Sequence, residues 1–108
     1  MFARILDFEV KAEKKEEFVN AIKNQVLPIL KKQNGFLEIL PFFPENMKNN
    51  KVITISLWTT KQDADRYERE FYPKMFDTLK PWLTAPVVTN YYNLETTLCE
   101  HFVDTLAA

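Results

Sequence analysis

The segment from Val52 to Trp82 constrains the fold more than any other part of the chain, because it passes from strand to helix within a few residues. Residues 52–58 are rich in β-branched and apolar groups, which predicts a strand. Thr59 and Gln62 then fit a capping box at the start of a helix. Beyond them, apolar residues recur at the spacing of one helix face, namely Ala64, Tyr67, Phe71, Met75, Leu79 and Trp82. We therefore expect a strand followed directly by an amphipathic helix over residues 61–79.

The remaining segments complete a β-α-β-β-α-β order. Residues 2–11, 36–43, 51–58 and 87–98 read as strands, and residues 13–33 read as a helix that ends at Asn34 and Gly35. Pro28 is expected to kink this first helix, and Tyr72 before Pro73 is expected to break the second. This order predicts an α+β, ferredoxin-like fold with a four-stranded antiparallel sheet and two helices on one face. Residues 1–98 form one predicted domain, and residues 99–108 a C-terminal tail.

Every predicted strand carries apolar groups on both of its faces. In the third strand Ile53, Ile55 and Leu57 alternate with positions that include Val52 and Trp58. Helices on one side of a sheet leave the other side uncovered, and a large apolar surface calls for a partner. We expect a homodimer with the two sheets face to face, and we assign Trp58 and Val52 to its interface, with core packing as the alternative for Trp58.

Scarce residue types and the balance of charge exclude several functions. Gly35 is the only glycine, so neither a GxGxxG motif nor a P-loop is present. One His and one Cys are too few for the usual zinc sites or for a disulfide framework within one chain. The net charge of −1 argues against a nucleic-acid partner. Charges in the first ten residues interrupt any signal-peptide core, so we expect a cytoplasmic protein without a membrane partner, metal or cofactor.

Several of these features together resemble the antibiotic biosynthesis monooxygenase (ABM) family of the dimeric α+β barrel superfamily. They are Asn34-Gly35-Phe36 at the second strand, Leu57-Trp58 at the end of the third, the TTKQDADRYERE helix start and the Phe71 to Phe76 run. The resemblance covers residues 2 to about 98. It implies a dimeric α+β barrel and, in some members, cofactor-independent oxygenation of phenolic polyketides. Other members degrade haem, but the positions that match their Asn, Trp and His are Leu6, Tyr67 and Asp77, so haem degradation is not expected.

A pocket between the second helix and the sheet is the expected ligand site, lined by Phe8, Ile22, Ile55, Phe71 and Trp82. Tyr67 lies on the apolar stripe with Phe71 and Trp82, and its hydroxyl either serves core packing or orients a substrate oxygen. Gln25 falls on the apolar face of the first helix, unless the proline kink turns it outward.

Three further residues are candidates for the same pocket. Arg4 shares an otherwise apolar strand face, where it forms an ion pair at the sheet end or binds an anionic substrate. Glu68 is a general-base candidate or a residue at the rim. Tyr72, at the proline break, serves either the pocket or a surface. The sequence identifies no catalytic residue among them.

Two functions fit these expectations. One is a cofactor-free monooxygenase-like enzyme, in which an ionised phenol or enol itself activates dioxygen while the protein holds it away from water. The other is a non-catalytic dimer that binds a small aromatic or hydrophobic ligand or serves as an interaction module.

Overall fold

The computed structural model describes residues 1–46 and 50–95. Four strands form one open antiparallel sheet in the order β2-β3-β1-β4, and they are β1 (Phe2–Glu9), β2 (Phe36–Phe42), β3 (Lys51–Trp58) and β4 (Val88–Asn93). Helical segments connect β1 to β2 and β3 to β4. The predicted ferredoxin-like α+β fold is therefore confirmed. The expected end of the fourth strand at residue 98 and the tail 99–108 lie outside the described residues.

The first helical region contains a wide turn. It begins with a 3-10 turn (Ala12–Lys14) and α1 (Lys15–Ala21), widens into a π-helical turn (Ile22–Val26), and ends with α2 (Leu27–Leu30). The amide of Leu27 donates to the carbonyl of Ile22, five residues back. Pro28 follows at once, and its ring would clash with the carbonyl four residues earlier in a regular α-helix. The effect of the proline is thus a π turn that precedes it.

The second helical region is broken close to the predicted place. It consists of α3 (Lys61–Glu70), α4 (Tyr72–Leu79) and a 3-10 turn (Lys80–Trp82). Phe71 lies between the two helices with a φ of −121°. The Pro73 ring fits the first turn of α4, where no backbone amide is needed.

The start of α3 corrects one prediction. Thr60, not Thr59, is the cap, because the Thr60 hydroxyl oxygen accepts from the Asp63 amide at 3.2 Å. The Thr60 hydroxyl in turn donates to the Asp63 carboxylate at 2.9 Å. The Thr59 amide is held by the carbonyl of Gly35 at 2.8 Å. Thr59 therefore extends the strand pairing, and the cap lies one residue later than the sequence suggested, while α3 begins at Lys61 as expected.

The covered face of the sheet packs against the helices. Strand register pairs Phe2 with Trp58, Arg4 with Ser56, Leu6 with Thr54 and Phe8 with Val52, and all eight residues are buried. Trp58 is 0% exposed and Val52 is 3% exposed. Their assignment to a dimer interface is therefore wrong, since strand alternation turns both toward the helices.

The opposite face of the sheet, which we call the open face, is largely exposed, although Ala3 and Leu57 on it are buried. It carries Ile5 opposite Ile55, Asp7 opposite Ile53 and Ala3 opposite both Leu57 and Tyr92. Four large apolar side chains here are exposed: Phe42 (53%), Ile53 (40%), Val88 (55%) and Tyr92 (56%). The strands thus carry apolar residues on both sides, as the sequence indicated.

Candidate functional site

A hollow lies between the covered face of the sheet and the helices. It measures about 430 Å³ with its solvent-open mouth, and about 40 Å³ of this admits water-sized groups. Most of its wall is apolar, with a few polar groups, as in many ligand sites. The wall is formed by Arg4, Leu6, Phe8, Ile22, Val26, Ile39, Thr54, Ser56, Tyr67, Tyr72, Met75 and Leu79.

Arg4 is the charged group of this hollow. It lies on the central strand β1, and its side chain is only 3% exposed. One guanidinium nitrogen, Nη2, is 3.4 Å from Oε1 of Glu68. The guanidinium carbon lies 4.2 Å from the ring centre of Tyr72 and 5.7 Å from that of Tyr67. The guanidinium therefore has one long ion pair and two aromatic faces around it.

Glu68 lies at the outer end of Arg4 and does not line the hollow. Its side chain is 28% exposed, and Oε1 also accepts a hydrogen bond from the Tyr91 hydroxyl. Partial burial, together with this hydrogen bond, raises the pKa of Tyr91. Glu68 thus occupies the rim, which was the simpler of its two expected places.

Tyr67 and Tyr72 supply the phenolic groups of the wall. Tyr67 is 4% exposed, and its ring centre lies 5.3 Å from that of Trp58. Burial raises the pKa of Tyr67 to about 12, although the charge of Arg4 offsets part of the rise. Burial also raises the pKa of Tyr72. Both hydroxyls stay protonated at neutral pH and are able to donate hydrogen bonds.

Three expected residues of the pocket lie elsewhere. Phe71 stacks on Tyr67, with ring centres 6.5 Å apart, but lines a separate surface hollow beside α2. The indole of Trp82 donates to a carboxylate oxygen of Glu17 at 3.0 Å, beside α1 and outside the hollow. Ile55 belongs to the open face, because strand alternation places it opposite to Phe8.

Gln25 is exposed and also lies outside the hollow. The π turn brings Ile22 and Val26 to the hollow. A regular helix would have brought Gln25 between its apolar neighbours. The outward position, which the sequence left open, is the observed one.

Three polar residues of the site were missed at the sequence level. Thr54 and Ser56 line the hollow from β3. The Ser56 hydroxyl donates to the Arg4 carbonyl at 3.4 Å and accepts from the Trp58 indole at 3.0 Å. Tyr91 stands opposite Arg4 on β4. Alternation along β3 from Val52 would have revealed the first two, because both share its face.

Two kinds of feature are absent from residues 1–46 and 50–95. No group of three or more His, Cys, Asp or Glu side chains there is arranged to hold a metal ion. No helix in the same ranges is long and apolar enough to cross a membrane.

Solved structures with the same fold come from several organisms. A protein from Nitrosomonas europaea is 21% identical, covering 87% of this chain and 98% of its own, with a TM-score of 0.69. A conserved protein from Methanosarcina mazei Go1 is 22% identical, covering 88% of this chain and 94% of its own, with a TM-score of 0.70. SnoaB, a cofactor-independent oxygenase from Streptomyces nogalater, is 16% identical, covering 91% and 96%, with a TM-score of 0.69. At these identities the likeness shows the fold alone.

Sequence comparison identifies the family. No curated protein matches the chain. The family model for antibiotic biosynthesis monooxygenases matches residues 1–72, which is more than half of the 108 residues. The chain therefore belongs to the antibiotic biosynthesis monooxygenase family.

Proposed function

We propose that this protein is a monooxygenase that oxidises a small phenolic or quinol substrate without a bound redox cofactor. The observation that carries the proposal is the hollow whose mainly apolar wall includes Arg4, Tyr67 and Tyr72, with the Arg4 guanidinium close to both tyrosine rings. Membership of the family supports oxygenase chemistry in general. A cytoplasmic location and the lack of a nucleic-acid partner stay predictions.

The chemistry requires the substrate to supply the electrons. An ionised phenol donates electrons to dioxygen, one oxygen atom enters the ring to form a quinone, and the other leaves as water. A phenol and one dioxygen thus give one quinone and one water. The protein's part is to hold the phenolic oxygen and keep the ring away from bulk water. Tyr67 and Tyr72 are the proposed hydrogen-bond donors to the substrate oxygens.

A second copy of the chain is the proposed partner of the open face. The argument is the set of exposed apolar side chains there, which includes Phe42, Ile53 and Tyr92. Surfaces of this kind mark interaction sites in soluble proteins. The hollow lies on the opposite side of the sheet, so the proposed dimer leaves it within each protomer.

Oxygen uptake tests the proposal. Purified protein with a metal chelator is mixed with a single-ring quinol or with the three-ring anthrone, and dioxygen is followed by electrode. We expect uptake in a one-to-one ratio to quinone formed, and a fall of at least about tenfold for Tyr67→Phe, since one substrate hydrogen bond is lost. Gln25→Ala is the matched control, because this exposed residue lies outside the hollow.

Two results would contradict the proposal. Binding of these ligands without any oxygen uptake would favour the non-catalytic binding module. Full turnover by Tyr67→Phe would assign Tyr67 to core packing only.

A further inference from the structure

We propose that the hollow binds its ligand as an anion, with a phenolate, enolate or carboxylate oxygen accepting a hydrogen bond from Nε of Arg4. The inference deepens the proposed function and rests on it for the aromatic character of the ligand. The anion requirement itself comes from three features of the Arg4 surroundings.

The first feature is an unused hydrogen-bond donor. Nε of Arg4 is the one buried side-chain nitrogen or oxygen among the described residues that has no hydrogen-bond partner. A buried donor without an acceptor is costly, and more so when it belongs to a charged group. Arg4 lines the hollow, and a ligand oxygen that reaches Nε from there would supply the missing acceptor.

The second feature is incomplete charge balance. Glu68 is the carboxylate that faces Arg4, its contact is 3.4 Å long, and the same oxygen accepts from Tyr91. The other titratable groups around the guanidinium are Tyr67, Tyr72 and Tyr91, which are neutral at neutral pH. An anionic ligand would therefore meet a cation that is only partly neutralised.

The third feature is the lack of a proton acceptor in the wall. Arg4, Tyr67 and Tyr72 are the titratable residues that line the hollow. Arginine stays protonated, and burial raises the pKa of both tyrosines. Glu68 stands beyond Arg4, outside the wall. A neutral phenol would find no base at this position, and the charge of Arg4 favours a ligand that enters already ionised.

The volume of the hollow fits the ionised end of a ligand, which we call its head group. The 40 Å³ that admits water-sized groups is enough for an oxygen and its nearest atoms, and the hollow opens to solvent, where the rest of a ligand would lie. A charged head on a flat apolar body is the class of ligand that matches both parts.

Binding without turnover tests the inference. Under nitrogen, the protein is titrated with 4-nitrophenol, with the weaker acid 4-cyanophenol, and with 4-nitroanisole, which keeps the shape of 4-nitrophenol without an ionisable proton. We expect both phenols to bind at least about tenfold more tightly than the anisole once ionised. The midpoint of the affinity-against-pH curve should follow the acidity of each phenol. Equal affinity for the anisole, or one midpoint for both phenols, would overturn the inference.

Variants of the ion pair sharpen the test. Arg4→Met should abolish the preference for the anion, and Arg4→Lys should restore part of it. Glu68→Gln should tighten anion binding by about three- to tenfold, because the competing carboxylate is lost. Weaker binding by Glu68→Gln would show that Glu68 accepts the ligand proton and would overturn the inference.

Controls separate this inference from the proposed function. Arg66→Met, a surface change of the same kind, should leave the preference intact, and circular dichroism reports whether each variant is folded. Anion preference without oxygen uptake would remove the oxygenase proposal alone. Oxygen uptake without anion preference would remove this inference alone.

Discussion

Gly35 lies just before β2 and packs against Thr59 and Asp63 at the start of α3. Its φ is +81°, a conformation that residues with a Cβ rarely adopt. A Cβ there would collide with the Asp63 carboxylate and stand 2.7 Å from Oγ1 of Thr59. The Gly35 carbonyl also accepts the Thr59 amide at 2.8 Å. This one residue therefore fixes the contact between two elements.

We predict that Gly35→Ala lowers the free energy of unfolding by at least about 2 kcal/mol, because backbone strain and the clash with Asp63 add. The neighbouring exposed change Asn34→Ala should stay within about 0.5 kcal/mol. Urea unfolding of both variants at one fixed protein concentration provides the measurement. Equal stability of the two variants would contradict the close packing at Gly35.

The ionisation of Tyr67 makes stability depend on alkaline pH. Burial raises its pKa from the ordinary 10.0 to about 12, so the folded protein holds a proton that the unfolded chain releases. This contribution is fully present below about pH 10 and is lost as pH rises toward 12, by roughly 2 to 3 kcal/mol in total. Tyr67→Phe should therefore show a smaller alkaline loss of stability than the unaltered protein. The free energy of unfolding of both proteins is measured from about pH 8 to about pH 12. An equal loss in the two proteins would contradict this prediction.

At the scale of single residues, strand alternation is the part that the sequence predicts well. Arg4 could be placed on the covered face because it shares a strand face with Phe2, Leu6 and Phe8, and it does line the hollow. Its pairing with Glu68 could not be predicted, because contacts 64 residues apart depend on how α3 crosses the sheet.

At the scale of elements, the first helical region shows why Gln25 lies outside the hollow. Phe18, Ile22, Val26 and Leu30 are all buried and recur every four residues. In a regular α-helix each such step turns the side chain by about 40°, so the stripe would drift. A π turn absorbs the drift and keeps the four residues on the sheet. The strict four-residue repeat before Pro28 was the available signal.

The cap of α3 gives a prediction at this scale. Thr60→Ala should destabilise the protein by about 1 kcal/mol, because the Asp63 amide loses its acceptor. Gln62→Ala should change stability by less than about 0.5 kcal/mol, since Gln62 is exposed and is not the cap partner. Thermal unfolding of both variants distinguishes this arrangement from the capping box read from the sequence. A larger loss for Gln62→Ala would reverse the assignment.

In the whole molecule, the open face leads to a prediction about assembly. We expect a dimer at micromolar concentration, and Ile53→Lys should shift it to monomer, because a charge would be buried in the interface between the two sheets. Asn20→Lys adds the same charge on the exposed surface of α1 and should leave the dimer intact. Sedimentation velocity measures both. A monomeric unaltered protein would contradict the proposed assembly.

The order of strands also bears on how the chain folds. β1 is a central strand, and both of its neighbours come much later in the sequence, since Glu9 pairs with Lys51 and Asp7 with Val88. During synthesis, the backbone groups of β1 therefore stay unpaired until β3 and then β4 have been made. Pairings between distant segments close slowly, and unpaired apolar strands are prone to aggregate meanwhile. The placement that gives Arg4 a protected site in the mature protein thus leaves the nascent strand without partners for most of translation.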